Sequence, residues 1–197
     1  MTTTEKNIKR VFDVFFACIG LLIVGWFILL MAMISKISIK GNGFFKQKRV
    51  GQYGKLFTIY KIETIHPDEA KKEIPQITKL GTFIRKYKID EFPQLWNVLE
   101  GTMSFVGPRP DIAGFADELE GEANIILSVK PGITGPATLR FRNEEELLAT
   151  QENPEAYNKE VIWPQKIALN IQYVQTYRFT KDIQYLYKTL FSSSCQK

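Results

Sequence analysis

The segment KIDEFPQLWNVLEGTMSFVGPRP, residues 88–110, joins two adjacent carboxylates to an arginine that lies between two prolines. The carboxylates are Asp90 and Glu91, and the arginine is Arg109. Carboxylates act as nucleophiles or as ligands of hard metal ions, and an arginine fork binds anions. The presence of these residue types in one short segment raises the hypothesis of a catalytic site.

A structural role explains the same carboxylates. Asp90 is a suitable N-cap, Glu91 would compensate the helix dipole, and Pro93 suits a first turn. The helix would begin at Asp90, bury an apolar face and end at Gly101. Taken alone, the segment favours a helix cap over a catalytic site. The choice between these two roles therefore depends on other parts of the chain.

The composition is typical of a globular protein, with 197 residues, 45% of them hydrophobic and 24% charged. This length predicts one domain with an appendage. Cys18 and Cys195 lie near opposite ends, which argues against a disulfide framework. The single histidine, His66, has no Cys or second His at ligand spacing, which argues against zinc and against a Ser-His-Asp triad. Any metal ion would therefore have oxygen ligands.

The net charge of +5 is unevenly distributed. Basic residues outnumber acidic ones two to one in residues 36–110, whereas acidic residues are in excess from 111 onward. A basic half is compatible with nucleic acid, anionic lipid or a phosphorylated substrate. The sequence contains no nucleic-acid-binding motif, so we expect no nucleic acid partner and favour lipid or phosphate.

Residues 14–34, VFFACIGLLIVGWFILLMAMI, form an apolar run without a charged side chain. As a helix this run reaches roughly 30 Å, which is the thickness of the hydrocarbon core of a bilayer. It is longer than the apolar part of a signal peptide, and no cleavage site follows it. Basic residues flank both ends, which predicts that both ends are cytoplasmic.

The remaining pattern predicts an α+β fold that is mostly helical. Residues 41–64 alternate as extended chain with turns at 41–43 and 51–54, and helices are predicted in the ranges 78–87, 90–100, 111–119, 154–177 and 180–191. The last two helices are amphipathic. Core packing explains their apolar faces, and docking on the membrane surface is the alternative.

Several segments, spread over nearly the whole chain, form a recognisable set. They are QKRVG (47–51), FTIYKIET (57–64), GTFIRKYKIDEFPQLWNVLEGTMSFVGPRPD (81–111), VKPGITGPA (129–137), Arg142-Asn143 and Phe179-x-x-Asp182. This set resembles the bacterial sugar transferase family, the monotopic phosphoglycosyl transferases. The chain resembles the minimal form of the family, with one membrane element and a catalytic domain.

The resemblance implies an activity. Members transfer a sugar 1-phosphate from a nucleotide diphosphate sugar, here expected to be a UDP sugar, to a membrane polyprenyl phosphate. The reaction releases UMP and starts the assembly of an exopolysaccharide, capsule, O-antigen or glycoprotein glycan. By resemblance, Asp90 is the nucleophile that forms a covalent phosphosugar, and Glu91 is the ligand of an Mg²⁺ cofactor.

The resemblance also suggests substrate-binding residues. These are Lys61, Arg85, Arg109, Arg142 and Asn143. The sequence departs from the family at Glu63, where a second basic residue is expected, and we expect Glu63 to pair with Lys61 or Arg85 instead.

The resemblance further predicts a membrane topology. Residues 1–36 would form a re-entrant membrane helix, and residues 37–197 a catalytic domain on the cytoplasmic face of the bacterial inner membrane, in contact with its lipid. Relatives bend this helix at a Ser-Pro pair, whereas this chain has Gly25-Trp26. We expect the bend near Gly25, because glycine is a weak helix former. The sequence leaves open a homodimer.

Two alternatives to the transferase remain at this point. One is a membrane-anchored Mg²⁺-dependent hydrolase of lipid pyrophosphates, which would use the same carboxylates and arginines. The other is a non-catalytic, membrane-tethered binding module in which Asp90 is only a cap.

Overall fold

The computed structural model describes residues 1–66 and 77–191, and its fold is mostly helical, as predicted. The helices are α1 (Thr3–Ile39), α2 (Lys79–Lys86), α3 (Gln94–Glu100), α4 (Pro136–Arg140), α5 (Glu144–Ala149), α6 (Pro154–Tyr157), α7 (Trp163–Gln175) and α8 (Phe179–Phe191). The strands are β1 (Phe44–Val50), β2 (Leu56–Ile62), β3 (Ser104–Val106) and β4 (Gly132–Thr134). Cys195 lies outside the described residues.

Helix α1 has 37 residues and is long and apolar enough to cross a membrane. It begins with a capping box, in which Thr2 and Glu5 satisfy each other's backbone N–H groups. The helix continues without interruption through Gly25. At about 1.5 Å per residue it is roughly 55 Å long. Its re-entrant path and the division at residue 36 stay predictions.

Polar side chains attach the first turns of α1 to the rest of the protein. The Lys9 ammonium donates a hydrogen bond to the buried carboxylate of Asp182 in α8. The Arg10 guanidinium donates to the carbonyl oxygens of Val98 and Leu99, at 2.6 and 2.8 Å, at the end of α3. Because Lys9 and Asp182 are both buried, the pair fixes α1 against α8.

The later turns of α1 pack on the same body. Ala17 lies in a core cluster with residues of β2 and α3, and Met31 lies in a second cluster with residues of β2 and α2. The Ser35 hydroxyl donates to the carbonyl oxygen of Glu63, just after β2. The helix therefore contacts the rest of the chain from Lys9 to Ser35.

Strands β1 and β2 form the antiparallel hairpin that the alternating segment predicted, with Phe44 opposite Ile62 and Val50 opposite Leu56. The side chain of Asn97 in α3 lies against this hairpin. It accepts a hydrogen bond from the Tyr60 N–H at 3.1 Å and donates to the Thr58 carbonyl at 2.7 Å. Asn97 is fully buried, so these bonds hold α3 in register with β2.

The predicted helix in residues 111–119 is wrong. Only a short 3₁₀ turn, Ala116–Glu118, forms there. Gly114 has φ +93°, and the Asp117 carboxylate accepts hydrogen bonds from the Gly114 and Phe115 N–H groups. A side chain that bonds to nearby backbone N–H groups competes with helix formation.

The two predicted C-terminal helices form. In the first, a π turn at Asn158–Ile162 joins α6 to α7, directly before Pro164, and a π turn avoids the clash that proline causes in a regular helix. The apolar residues of these helices divide between two environments. Tyr173, Val174 and Tyr177 are buried in the core, whereas Ile183, Tyr187, Leu190 and Phe191 of α8 are exposed.

Candidate active site

Asp90 and Glu91 lie in a 3₁₀ turn, Ile89–Glu91, between α2 and α3. Both side chains are buried, and each residue is 8% exposed. The predicted N-cap role of Asp90 is wrong, because α3 begins at Gln94 after Pro93 and no carboxylate caps it. The Oδ1 atom of Asp90 is buried and has no hydrogen-bond partner among the described residues. A buried acceptor without a partner is costly, which indicates a functional role.

Glu91 is paired with two cations from distant parts of the chain. Its Oε1 atom accepts hydrogen bonds from Lys61 Nζ of β2 at 3.0 Å and from Arg109 Nη2 at 2.6 Å. Burial opposes ionisation of Glu91, but the charges of Arg109 and Lys61 outweigh burial and lower its pKa to about 2. Glu91 is therefore an anion throughout the physiological pH range.

Asp90 has the opposite shift. Burial raises the pKa of its carboxyl, and the negative charge of Glu91 adds to this effect, while Lys61 and Arg85 oppose it. A carboxylate with little solvation and no hydrogen bond to Oδ1 is a better nucleophile than one that is fully solvated. The two adjacent acids thus have different environments suited to different roles.

The loop that carries Arg109 is fixed by backbone hydrogen bonds that two glycines donate. The Gly107 N–H donates to the Thr134 carbonyl oxygen at 2.9 Å, and the Gly132 N–H donates to the Pro108 carbonyl oxygen at 2.8 Å. A Cβ atom on Gly107, Gly132 or Gly135 would lie within 3.0 Å of backbone atoms of the facing strand or loop. The GPRP and KPGITGPA motifs therefore hold each other at a distance that only glycine allows.

Arg85 lies near the carboxylates, and its substrate-binding role stays a prediction. Its Nε atom donates to Thr64 Oγ1 at 2.9 Å, and its charge lowers the pKa of Asp90. The expected pairing of Glu63 with Lys61 or Arg85 is wrong. The Glu63 carboxylate instead accepts hydrogen bonds from the Asn42 and Gly43 N–H groups, at 2.7 and 3.2 Å, and closes the turn after α1.

Arg142 and Asn143 are exposed, and no hydrogen bond joins either to Asp90 or Glu91 in the described part of the chain. Arg142 Nη2 donates to the carbonyl oxygen of Thr189 in α8 at 2.8 Å. Asn143 precedes α5. Glu144, the next residue, is near enough to Arg109 to affect its pKa. Their substrate-binding role stays a prediction.

Two residues that had no predicted role lie next to the paired charges. Arg49 at the end of β1 and Gln94 at the start of α3 line a cavity of about 240 Å³ with Lys61 and Arg109. Arg49 belongs to the QKRVG segment and Gln94 to the DEFPQL segment. Their presence in these motifs was the available signal, but only the folded hairpin shows that they converge.

The GPRP loop also borders a larger, mainly apolar cavity of about 420 Å³, whose lining includes Asp111 and, from α7, Trp163 and Asn170. Burial raises the pKa of Asp111 to about 6, although Lys166, Arg49 and Arg109 oppose the shift. Arg109 borders both cavities, so the loop that carries it lies between two spaces.

The donor set fits Mg²⁺. Asp90 and Glu91 supply hard oxygen atoms, Asp90 Oδ1 has no hydrogen-bond partner in the part of the chain that the structure describes, and Glu91 remains ionised. The described residues contain no cluster of three or more His, Cys, Asp or Glu that would form a complete protein site. Mg²⁺ typically binds one or two protein carboxylates, and phosphate oxygens and water complete its coordination shell. The pair of carboxylates fits this preference.

Comparison with known proteins gives the family. A profile of the bacterial sugar transferase family matches residues 4–195. A Bacillus subtilis (strain 168) protein with the provisional name undecaprenyl-phosphate N-acetylgalactosaminyl 1-phosphate transferase is 38% identical over 160 residues, which cover 74% of this chain and 86% of the relative.

Two further relatives carry the name UDP-glucose:undecaprenyl-phosphate glucose-1-phosphate transferase. The protein from Caulobacter vibrioides (strain ATCC 19089 / CIP 103742 / CB 15) is 33% identical, with 92% of this chain and 68% of the relative covered. The protein from Escherichia coli (strain K12) is 30% identical and covers 100% of this chain, which spans 42% of that longer relative. The chain belongs to the bacterial sugar transferase family and is a phosphoglycosyl transferase, as the sequence predicted.

Proposed function

We propose that the enzyme transfers a sugar 1-phosphate from a UDP sugar to polyprenyl phosphate through a covalent phosphosugar on Asp90, and thereby starts the assembly of a bacterial polysaccharide. The names of its relatives support the donor and acceptor classes. The observation that carries the mechanism is the buried Asp90 carboxylate, whose Oδ1 has no hydrogen-bond partner among the described residues, beside the Glu91–Lys61–Arg109 cluster.

In the first step, a carboxylate oxygen of Asp90 forms a bond to the phosphorus that carries the sugar. The bond from this phosphorus to the bridging oxygen breaks, and UMP leaves with the electron pair. No proton transfer is required, because the leaving group is a phosphate anion. Lys61 and Arg109, which both pair with Glu91, would offset the negative charge of the diphosphate.

In the second step, a phosphate oxygen of the polyprenyl phosphate attacks the same phosphorus. The bond to Asp90 breaks, the carboxylate is regenerated, and the product is a polyprenyl diphosphate sugar. An acyl phosphate suits this role, since it retains the energy needed to pass the group on. The position of Asp90 in a buried turn limits the access of water to this intermediate.

Glu91, with Asp90 beside it, would hold Mg²⁺, which supplies charge neutralisation and orientation of the phosphate oxygens when bound. Glu91 Oε1 is already bonded to Lys61 and Arg109, so Oε2 is the oxygen left for a metal ion. The low pKa of Glu91 keeps this ligand ionised.

We further propose that the enzyme is attached to the cytoplasmic face of the inner membrane by α1, in contact with inner-membrane lipid. Nucleotide sugars are cytoplasmic, so the carboxylates must face that side. Large apolar side chains project from α1 away from the rest of the protein, among them Leu22, Ile23, Trp26 and Leu29. Exposed apolar area of this extent is typical of a membrane-contacting surface.

The experiment is a donor screen. Purified full-length protein in detergent is incubated with Mg²⁺, polyprenyl phosphate and each of a panel of UDP sugars, including N-acetylated and deoxygenated hexoses. The proposal predicts continuous UMP release with one or a few donors, only when the acceptor is present, and loss of this release in the Asp90→Asn variant. A hydrolase would release phosphate from lipid pyrophosphate, and a binding module would release neither product. Either result would contradict the proposed function.

A further inference from the structure

The cavity between β1, α3 and the GPRP loop is lined mainly by groups that bind anions. Its lining consists of Arg49, Ile59, Lys61, Gln94, Arg109 and Pro110. Three of these six residues are cations, and a fourth has a side-chain amide.

Two hydrogen-bond donors in this lining have no acceptor. Arg49 Nε and Gln94 Nε2 are both buried and donate to no atom among the described residues. Gln94 is only 2% exposed, so water has little access to its amide. Buried donors without an acceptor are rare and costly, and two of them in one cavity indicate that a ligand supplies the acceptor oxygens.

The rest of the Arg49 side chain is held in place. Its Nη2 atom donates to Gln47 Oε1 at 2.6 Å, and its Nη1 atom points to the Pro110 carbonyl at 3.4 Å. The Val50 N–H donates to the Asp111 carbonyl at 2.8 Å, which joins the end of β1 to the GPRP loop. Arg49 is thus oriented before a ligand arrives. Burial lowers its pKa, and the nearby charge of Arg109 adds to the effect, while the charges of Asp111 and Glu91 oppose it.

The cations that line the cavity and their place near Asp90 indicate that its ligand is a phosphate group. Asp90 does not line the cavity, whereas Lys61 and Arg109, the two partners of Glu91, do. In-line displacement at phosphorus places the entering and leaving oxygens on opposite sides. If Asp90 attacks from one side, the leaving phosphate needs a cationic space on the other, and a cavity lined by the two cationic partners of Glu91 meets this need.

We propose that Arg49 and Gln94, with Lys61 and Arg109, form a phosphate subsite that the two substrates occupy in turn. This inference rests on the proposed function. In the first step the subsite holds the phosphate of the departing UMP, as the bond from phosphorus to the bridging oxygen breaks. In the second step it holds the phosphate of the polyprenyl phosphate, whose oxygen attacks from the position that UMP has left. UMP and polyprenyl phosphate are both phosphate monoesters, and the subsite holds only one of them at a time.

The test compares two substitutions on the same strand. Arg49→Met removes a charge from the cavity, and Lys48→Met removes one from the next residue of β1, which is exposed. Arg49→Lys retains the charge without the fork, and Gln94→Leu removes the amide at similar volume. UMP binding to the full-length protein with Mg²⁺ is measured by calorimetry, and kcat/KM is measured separately for the UDP sugar and for the polyprenyl phosphate.

The subsite predicts that UMP inhibits competitively against polyprenyl phosphate. Arg49→Met should weaken UMP binding about ten- to hundredfold, which is the effect of losing a hydrogen bond to a charged group. It should also lower kcat/KM for both substrates, whereas Lys48→Met changes neither quantity by more than about twofold. Arg49→Lys and Gln94→Leu should reduce UMP affinity and kcat/KM by intermediate factors. If Arg49→Met does not fold, these two variants test the subsite.

The outcomes are distinguishable from those of the proposed function. Equal UMP affinity in the wild type, Arg49→Lys and Arg49→Met would overturn the subsite. A loss confined to one of the two substrates would overturn its shared use. A wild-type protein that turns over no UDP sugar would instead count against the proposed function.

Discussion

Asp90 and Glu91 are neighbours in the chain, yet the fold gives them opposite electrostatic environments. Glu91 has two cationic partners and a pKa of about 2, whereas Asp90 is buried without a hydrogen bond to Oδ1 and has a raised pKa. An acid with strong partners is suited to hold a metal ion or to orient cations. An acid without them is suited to attack.

Arg109 provides a prediction about the geometry of its side chain. Arg109→Lys retains the charge but loses the planar fork that bonds Glu91 at 2.6 Å, so kcat/KM for the donor should fall about tenfold or more. Arg178→Lys is the matched control, because Arg178 is exposed at the start of α8. Equal activity of the two variants would show that the fork has no role in the reaction.

Asp111 provides a prediction about pH. Its pKa in the folded protein is about 6, above the usual 3.8, so the folded state retains a proton that the unfolded state loses. Stability from this group is therefore highest below about pH 4 and decreases as the pH rises through 6. Asp111→Asn removes the free-energy cost of ionising this buried carboxyl at high pH. The difference in Tm between Asp111→Asn and wild type should therefore be at least about 3 °C more positive at pH 7.5 than at pH 4.5.

The control for this pH measurement is Glu120→Gln, a change at an exposed carboxylate. Thermal unfolding in the same detergent and at both pH values gives the comparison. A constant Tm difference between Asp111→Asn and wild type at the two pH values would contradict the assigned pKa shift.

At the residue scale, Lys61, Arg85, Asp90, Glu91 and Arg109, which the sequence motifs singled out, lie close together in the fold, and their catalytic and binding roles stay predictions. Arg49 and Gln94 were missed, because their convergence depends on the β1–β2 hairpin and the GPRP loop meeting at one cavity. The local sequence pattern favoured an N-cap at Asp90, but in the fold this residue is buried in a 3₁₀ turn.

At the scale of elements, the short parallel pair β3–β4 positions the reactive loop. Gly107 and Gly132 approach so closely that their backbones bond directly to the neighbouring loops. The spacing from β3 to Arg109 is only a few residues, so any shift of the pair moves the guanidinium. The stiff prolines on both sides of Arg109 transmit the position of this pair to the side chain.

Gly107→Ala tests this role. A Cβ atom would lie within 3.0 Å of the Lys130 carbonyl oxygen, so the loop must move and activity should fall at least tenfold, with a Tm lower by several degrees. Gly54→Asn is the control, since Gly54 has φ +72°, open space around it and a conformation that asparagine tolerates. Wild-type activity in Gly107→Ala would show that the close approach is not needed.

The helices and strands with clear periodicity were predicted from the sequence, including α2 with its Thr78 cap and the C-terminal cap of α3 at Gly101. The segment 111–119 was not, because the side chain of Asp117 and the positive φ of Gly114 determine its path. Neither feature has a periodic signal.

At the scale of the whole molecule, α1 and α8 expose apolar side chains on surfaces that the rest of the described chain does not cover. The contacts of α1 extend from Lys9 to Ser35 on one body. A helix that crossed the bilayer fully would carry one of these contact regions to the opposite side, away from the residues that it bonds. We therefore predict a helix whose two ends lie on the same face of the membrane.

Single cysteines at Thr3 and Ser38, in a background without Cys18 and Cys195, test this topology. Both sites should resist a membrane-impermeant thiol reagent in intact cells and react after lysis. The matched comparison is the labelling of each site in the same cells before and after permeabilisation. Reaction of the Thr3 site alone in intact cells would establish a spanning helix.

The most direct test of the account is to trap the sugar phosphate on Asp90. Full-length protein is mixed with Mg²⁺ and a UDP sugar that supports turnover, without the acceptor, then quenched with acid, digested and analysed by mass spectrometry. A covalent mechanism predicts a burst of about one UMP per enzyme and a peptide containing Asp90 that is heavier by one sugar phosphate, with neither signal in Asp90→Asn. An adduct on another residue, or UMP release that requires both substrates together with no burst and no adduct, would contradict the covalent mechanism.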